Sequence, residues 1–187
     1  MNTDTKIFSG AIAARIEPYM PAITSCEQLA FSRGIQMQEG NRLIEYMIDD
    51  CITNGCSSIL VAIDFTKAFD SVSHEYLFEV LEAMLIPEFC LNSIRTLMNN
   101  GCSYIANDGM ITPQFELGRS CRQGDPLAPY LFILALEPLI RRLKSTLPGV
   151  QTSGGRVWLS VYADDLTLFV NNTAELATAL DIFDEFK

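Results

Sequence analysis

Two acidic segments hold the side chains of this chain best suited to chemistry. In Tyr162-Ala163-Asp164-Asp165, adjacent carboxylates stand between two strand-like runs, Val157 to Val161 and Leu166 to Val170, and so fall at the tip of a predicted hairpin. Upstream, Ser57-Ser58-Ile59-Leu60-Val61-Ala62-Ile63 reads as a buried strand that ends on Asp64, within Asp64-Phe65-Thr66-Lys67-Ala68-Phe69-Asp70. If these two strands are antiparallel neighbours in one sheet, their ends bring Asp64 and Asp164 together as hard oxygen donors for a divalent cation such as Mg2+. A pair of such ions can hold both the attacking and the leaving oxygen of a phosphoryl transfer. Alone, Asp164-Asp165 would be an ordinary solvated turn; the upstream strand end makes it a candidate site.

The remaining elements must position those ends. Apolar residues at helical spacing, Ile7, Ala11, Ile12 and Ile16, predict a helix over 4–19 that Pro21 ends. A second helix over 41–53 presents Leu43, Ile44, Met47, Ile48 and Cys51, and the Asn54-Gly55 turn then leads into the strand before Asp64. Helices over 75–84 and 88–98 flank Pro87, and a hairpin pairs 103–106 with 113–117 around Asn107-Asp108-Gly109. A polar loop, 118–125, opens an apolar helix from Pro126 to Lys144. Pro148-Gly149 and Gly154-Gly155 punctuate the approach to the carboxylate hairpin. Asn172 or Thr173 then caps a helix bearing Leu176, Leu180 and Phe183.

Nearly half of the 187 residues are hydrophobic, which predicts a globular chain. Cys26, Cys51, Cys56, Cys90, Cys102 and Cys121 lack CxxC spacing and, with the lone His74, compose no tetrahedral zinc set; they read as reduced core residues of an intracellular protein, with nucleus and cytoplasm undistinguished. Trp158 and the methionines read as core, His74 as surface, and Arg141, Arg142 and Lys144 as a solvated helix end. The apolar stretch 127–140 is too short to span a bilayer, so no membrane partner is expected.

Taken in order, Asp64-Phe65-Thr66-Lys67-Ala68-Phe69-Asp70, Arg122-Gln123-Gly124-Asp125-Pro126-Leu127 and Tyr162-Ala163-Asp164-Asp165 resemble the three central motifs of reverse transcriptases, LINE-type (non-LTR) enzymes first and group II intron enzymes next. Asn2-Thr3-Asp4-Thr5-Lys6-Ile7, Ala13-Ala14-Arg15-Ile16 and Phe132 to Glu137 extend the likeness through nearly the whole chain. The resemblance implies an α+β fingers-palm fold, an antiparallel palm sheet packed on helices in a right-hand polymerase without its thumb. Residues 1–56 would be partial fingers and the fingers-palm connection, and 57–187 the palm. It implies an RNA-directed DNA polymerase with an RNA template, a DNA primer, deoxynucleoside triphosphates and two Mg2+ ions, with Mn2+ as a substitute.

By the same resemblance Asp64 and Asp164 ligate the metals, Phe65 lends a backbone carbonyl, and Asp165 is a nearby, less direct acid. Phe69, five residues beyond Asp64, takes the place of a ring under the nucleotide sugar, where it would exclude a 2'-hydroxyl; the plain alternative is a core phenylalanine. Gln123 and Gly124 would open the helix beneath the templating base pair, Gly124 allowing close backbone approach. Arg119 and Arg122 would touch template phosphates, although exposed loop arginines are common, and Asp70 reads as a turn or helix-capping residue. One departure is Phe31-Ser32-Arg33-Gly34-Ile35, where the family has Phe-x-x-Gly-Arg, so that a basic contact is missing or displaced to Arg33.

The formal charge of −10 runs against nucleic-acid binding, because Lys and Arg neutralising phosphates supply most non-specific affinity. Family members place basic fingers upstream and a thumb downstream, so an acidic palm fragment fits a basic longer polyprotein that supplies the missing segments. The fragment alone would then be nearly inactive. A degenerate or domesticated palm remnant acting as a binding module is the alternative, argued against by the intact Asp64, Asp164 and Asp165. Another two-carboxylate enzyme, a palm-fold cyclase or a nuclease, would leave Arg122-Gln123-Gly124 unexplained.

Overall fold

Helical periodicity and turn residues divide the chain much as expected, and a computed structural model describes residues 2–31, 34, 36, 38–98 and 102–186. Its helices are α1 (Thr3–Ile16), a 3-10 turn (Glu17–Tyr19), α2 (Met20–Ile23), α3 (Gln38–Asn54), α4 (Ala68–Ser71), α5 (His74–Ala83), α6 (Glu88–Met98), α7 (Ala128–Thr146) and α8 (Thr173–Glu185). The strands are β1 (Ile59–Ile63), β2 (Cys102–Ser103), β3 (Ala106–Asn107), β4 (Met110–Ile111), β5 (Phe115–Glu116), β6 (Val150–Thr152), β7 (Gly155–Val157), β8 (Leu159–Tyr162) and β9 (Asp165–Val170). Local chemistry sets several boundaries. The Ser73 side chain accepts the Tyr76 N–H at the start of α5, and Asn172 accepts from Ala174 and Glu175 at the start of α8. Among the described residues no helix is long and apolar enough to cross a membrane.

The chain forms two compact units, each discontinuous in sequence: Met1–Tyr19 with Lys67–Ala135, and Met20–Thr66 with Leu136–Lys187. In the first, α6 packs against both α1 and α5, and Leu77, Leu81 and Ile94 are fully buried. Its hairpin is broken in two, β2 pairing with β5 and β3 with β4. In the second, an antiparallel sheet runs in the order β1-β9-β8, with α8 packed on β9 and α3 on β8 and β6. Met47, Val150 and Phe169 form a buried cluster there, with Leu43, Ile44 and Val157 against it.

Several expectations need correction. Pro21 does not stop the first helical region; it sits at the second position of α2, where the first turn's N–H groups lack intrahelical acceptors. Ile7 and Ala11 of α1 are exposed, and Ser9 and Ala13 are buried beside Ile12 and Ile16. Ile48 and Leu180 are half exposed, while Asp50 and Ala179 are buried on the same helices. The run 157–161 is not one strand: Val157 ends the β6–β7 ladder, Leu159 begins β8, and Trp158 lies between, its Nε1 donating to the Leu147 carbonyl at 3.0 Å. Of the cysteines, Cys121 is buried but Cys26 and Cys56 are exposed. Met20, Met47 and Met98 are core, whereas Met110 is exposed. His74 is half-buried and bonds the Ser120 carbonyl. Arg141 and Lys144 are paired with Glu137 and Glu27. Arg33 lies outside the described residues.

Candidate active site

Strand register decides where the carboxylates emerge. β1 pairs antiparallel with β9 from Ile59↔Val170 to Ile63↔Leu166, and β8 pairs with β9 from Leu159↔Leu168 to Tyr162↔Asp165. The expected direct pairing of β1 with β8 is therefore wrong: β9 lies between them, and they flank it in parallel. That arrangement still ends both strands at one edge of the sheet. Asp64 follows the last residue of β1, one position beyond the Ile63↔Leu166 pair, and Asp165 begins β9, one position before Leu166 of that pair. Ala163 and Asp164 form the turn joining β8 to β9.

Hydrophobic side chains hold this edge from below. Leu166, Leu168, Phe169 and Val170 of the central strand are buried, while Asp64 and Asp165 are exposed and Asp164 is half-buried. Phe65 packs toward α8, its ring centroid 6.3 Å from that of Phe183. Ala163 carries φ +56°, a left-handed conformation unusual for alanine. Its N–H donates to Gln28 Oε1 at 3.2 Å. The three aspartates form no ion pair among the described residues.

The other expected site residues belong to the first unit. Phe69 is half-buried and stacks on Phe132, with ring centroids 4.4 Å apart and planes 20° from parallel. Lys67, left-handed at φ +53°, precedes the short α4. The loop after β5 runs alongside this segment: Cys121 N–H donates to the Phe69 carbonyl at 2.7 Å and Ser120 N–H to Val72 at 2.9 Å. Ser120 Oγ donates to Asp70 Oδ1 at 3.1 Å, so Asp70, inside α4, ties that helix to the loop after β5 and is not a helix cap. Arg119 is exposed and donates to the Ser71 carbonyl at 3.3 Å; Arg122 is half-buried with no ion pair among the described residues. Burial, and next the charge of Asp125, push the Cys121 thiol up to about 12.

Gln123 and Gly124 do not open α7. They form an exposed turn before it, in which Gly124 takes φ +78°, a conformation that favours glycine, with no atom of the chain within 4 Å of where a β-carbon would stand. Asp125 makes the start of the helix: its Oδ1 accepts the Leu127 N–H at 2.9 Å, its carbonyl accepts the Ala128 N–H, and Ser9 Oγ donates to its carboxylate. Sequence reasoning missed this role, although Asp-Pro before an apolar run is a helix-start signal. It also missed Gln28, for which sequence offered none.

All 187 residues match the family described as "Reverse transcriptase (RNA-dependent DNA polymerase)". The chain is 29% identical over 181 residues, 96% of its length, to the "Transposon TX1 uncharacterized 149 kDa protein" of Xenopus laevis. It is 32% identical over 125 residues, 67% of its length, to the "Retrovirus-related Pol polyprotein from type-2 retrotransposable element R2DM" of Drosophila melanogaster. It spans 14% and 12% of those proteins. Among solved structures, an apo telomerase from Candida tropicalis truncated from its C-terminal domain superposes with a TM-score of 0.61 at 8% identity, over 93% of this chain and 36% of that one, a likeness of fold. The ordered motifs, the fold and the full-length match agree with the resemblance read from the sequence: the chain belongs to the reverse transcriptase (RNA-dependent DNA polymerase) family.

Proposed function

We propose that this chain is the fingers-palm part of an RNA-directed DNA polymerase of a non-LTR retrotransposon, with residues 1–56 as partial fingers and connection and 57–187 as palm. The observation that carries the reading is the delivery of Asp64 and Asp164 to one edge of a sheet by strands flanking β9. Among the described residues no three His, Cys, Asp or Glu side chains gather to hold a metal by themselves. A cation here would rest on the Asp64 and Asp164 carboxylates and the Phe65 carbonyl and take its remaining oxygens from substrate and water, a donor set that fits Mg2+ or Mn2+. Two such ions, when bound, would neutralise charge at the reacting phosphate and favour ionisation of the primer 3'-hydroxyl.

The chain's own residues would do the positioning. Asp165 adds negative field beside the ligands. Phe69, backed by Phe132, would lie under the nucleotide sugar and exclude a 2'-hydroxyl. Gln123 and Gly124 would face the templating base pair. Arg122, and less so Arg119 with its bond to Ser71, would meet template phosphate. Template RNA, DNA primer and deoxynucleotides are the partners, inside a cell. The charge of −10 makes the isolated chain a weak binder of polyanions, so its place is within a longer polyprotein supplying basic fingers and a thumb. Mn2+ titration by electron paramagnetic resonance tests the metal site: bound ion should be lost in Asp64→Asn and in Asp164→Asn and kept in Asp70→Asn. Binding unchanged in both site variants refutes the ligand assignment.

A further inference from the structure

The segment from Ser25 to Ala30 belongs to no helix, yet it is held at several points. Ser25 N–H and Oγ donate to the buried Glu137 at 2.9 and 2.6 Å, and Glu27 pairs with Lys144. Backbone bonds then lay the segment along β8: Val161 N–H donates to Glu27 at 2.9 Å, and Leu29 N–H to Val161 at 2.8 Å. Gln28 thus bridges in parallel to Val161, and its side chain, with the residue 2% exposed, reaches past the end of the strand. Its Oε1 accepts two N–H groups, from Ala30 at 3.0 Å and from Ala163 at 3.2 Å.

The identity of this side chain is informative. Both partners are donors, so the amide is fixed with its oxygen toward them; the flipped amide would set donor against donor. The cost falls on the other end, because Nε2 is buried with no hydrogen-bond partner among the described residues. Methionine would fill similar space without that cost, so the acceptor is what this position requires. What it secures is Ala163, a non-glycine residue at φ +56° that is 8% exposed and immediately precedes Asp164. A left-handed alanine persists only where its surroundings hold it.

We propose that Gln28 is a positioning residue for Asp164: by accepting the Ala163 N–H it fixes the left-handed turn and with it the direction in which the Asp164 carboxylate leaves the sheet. The inference rests on the reading of Asp164 as a metal ligand. It assigns to the segment before α3 a part in the site that the carboxylate motifs alone do not reveal.

Amide hydrogen exchange and Mn2+ binding test it on the intact 187-residue chain. In the wild type the Ala163 amide should be protected although it lies in a turn; an unprotected Ala163 amide overturns the proposal without any variant. In Gln28→Met its exchange should accelerate by about tenfold or more while Val161, bonded to Glu27, stays protected. The Mn2+ dissociation constant should rise about tenfold, as for loss of a group that orients a metal ligand. Val150→Ala, which loosens the Met47 and Phe169 cluster instead, should lower stability and leave Mn2+ affinity unchanged. Faster Ala163 exchange with unaltered Mn2+ affinity overturns the positioning role, and so does an equal loss of affinity in Val150→Ala. A wild-type chain with no Asp164-dependent Mn2+ site overturns the metal reading, a failure recognisable because Ala163 exchange would still respond to Gln28→Met.

Discussion

Replacing Glu137 with leucine should destabilise the second unit by about 3 kcal/mol, the cost of leaving two part-buried donors without their acceptor. Glu137 is fully buried in α7 and accepts three bonds, from Ser25 N–H at 2.9 Å, Ser25 Oγ at 2.6 Å and Arg141 Nε at 2.7 Å. Leucine keeps the volume but strands both Ser25 donors, which are half-buried, at about 1–2 kcal/mol each. Arg141 adds little, because its side chain is 59% exposed and regains water. Glu137→Gln retains an acceptor and should lose about half as much. Urea unfolding followed by the fluorescence of Trp158, the sole tryptophan, reports this unit. With a slope of about 2–3 kcal/mol per molar, the leucine variant's midpoint should fall by about 1 M. A leucine midpoint within about 0.2 M of wild type would refute the assignment of Glu137 as the anchor of the Ser25 segment.

Cys121 should resist alkylation at neutral pH until the chain unfolds; labelling in the folded state as fast as at Cys56 would contradict its burial. Because its folded pKa is raised to about 12, its stabilising contribution is fully present below the unfolded value of about 8.5 and is lost as pH rises toward 12. Ser153 Oγ and N–H both donate to Asp50 and hold its carboxyl below the usual range, so that contribution is present above about pH 4 and disappears as pH falls through the lowered folded value. Ser153→Ala should therefore be less stable than wild type at pH 7, with the gap closing in acid; a gap independent of pH would refute the linkage. Phe69→Val, in a complete enzyme carrying this palm, should raise ribonucleotide relative to deoxyribonucleotide incorporation, and an unchanged ratio would leave Phe69 as a packing residue against Phe132.

What could be read from the sequence was what local chemistry encodes. Strands ending on carboxylates, turn glycines and helix caps gave β1, β9, α5, α6 and α8 close to their observed bounds, and the motif order gave the family. Tertiary contact decided the rest. Periodicity marks a stripe on a helix but not which edge of it meets a neighbour, so Ile7 and Leu180 fell outside the packed face, whereas the smaller Ser9, Ala13 and Ala179 fell inside it. The β6–β7 hairpin was hidden because Gly154-Gly155 reads only as punctuation. Its turn is held by distant groups on α3: Tyr46 Oη accepts the Gly154 N–H at 2.7 Å, and Asp50 accepts from Ser153. The insertion of β9 between β1 and β8 likewise follows from register and not from any residue in the motifs. Gln28 is the extreme case, since its part depends on one long-range bond to Ala163.

Primer extension on a primed RNA template, by a reverse transcriptase whose palm has been exchanged for residues 57–187, tests the central claim most directly. With Mg2+ and deoxynucleotides the exchanged enzyme should extend the primer, Asp164→Asn should abolish extension, and the isolated chain should be nearly silent. Extension by the Asp164→Asn enzyme at the parental rate would contradict the assignment of Asp164 to the polymerase site.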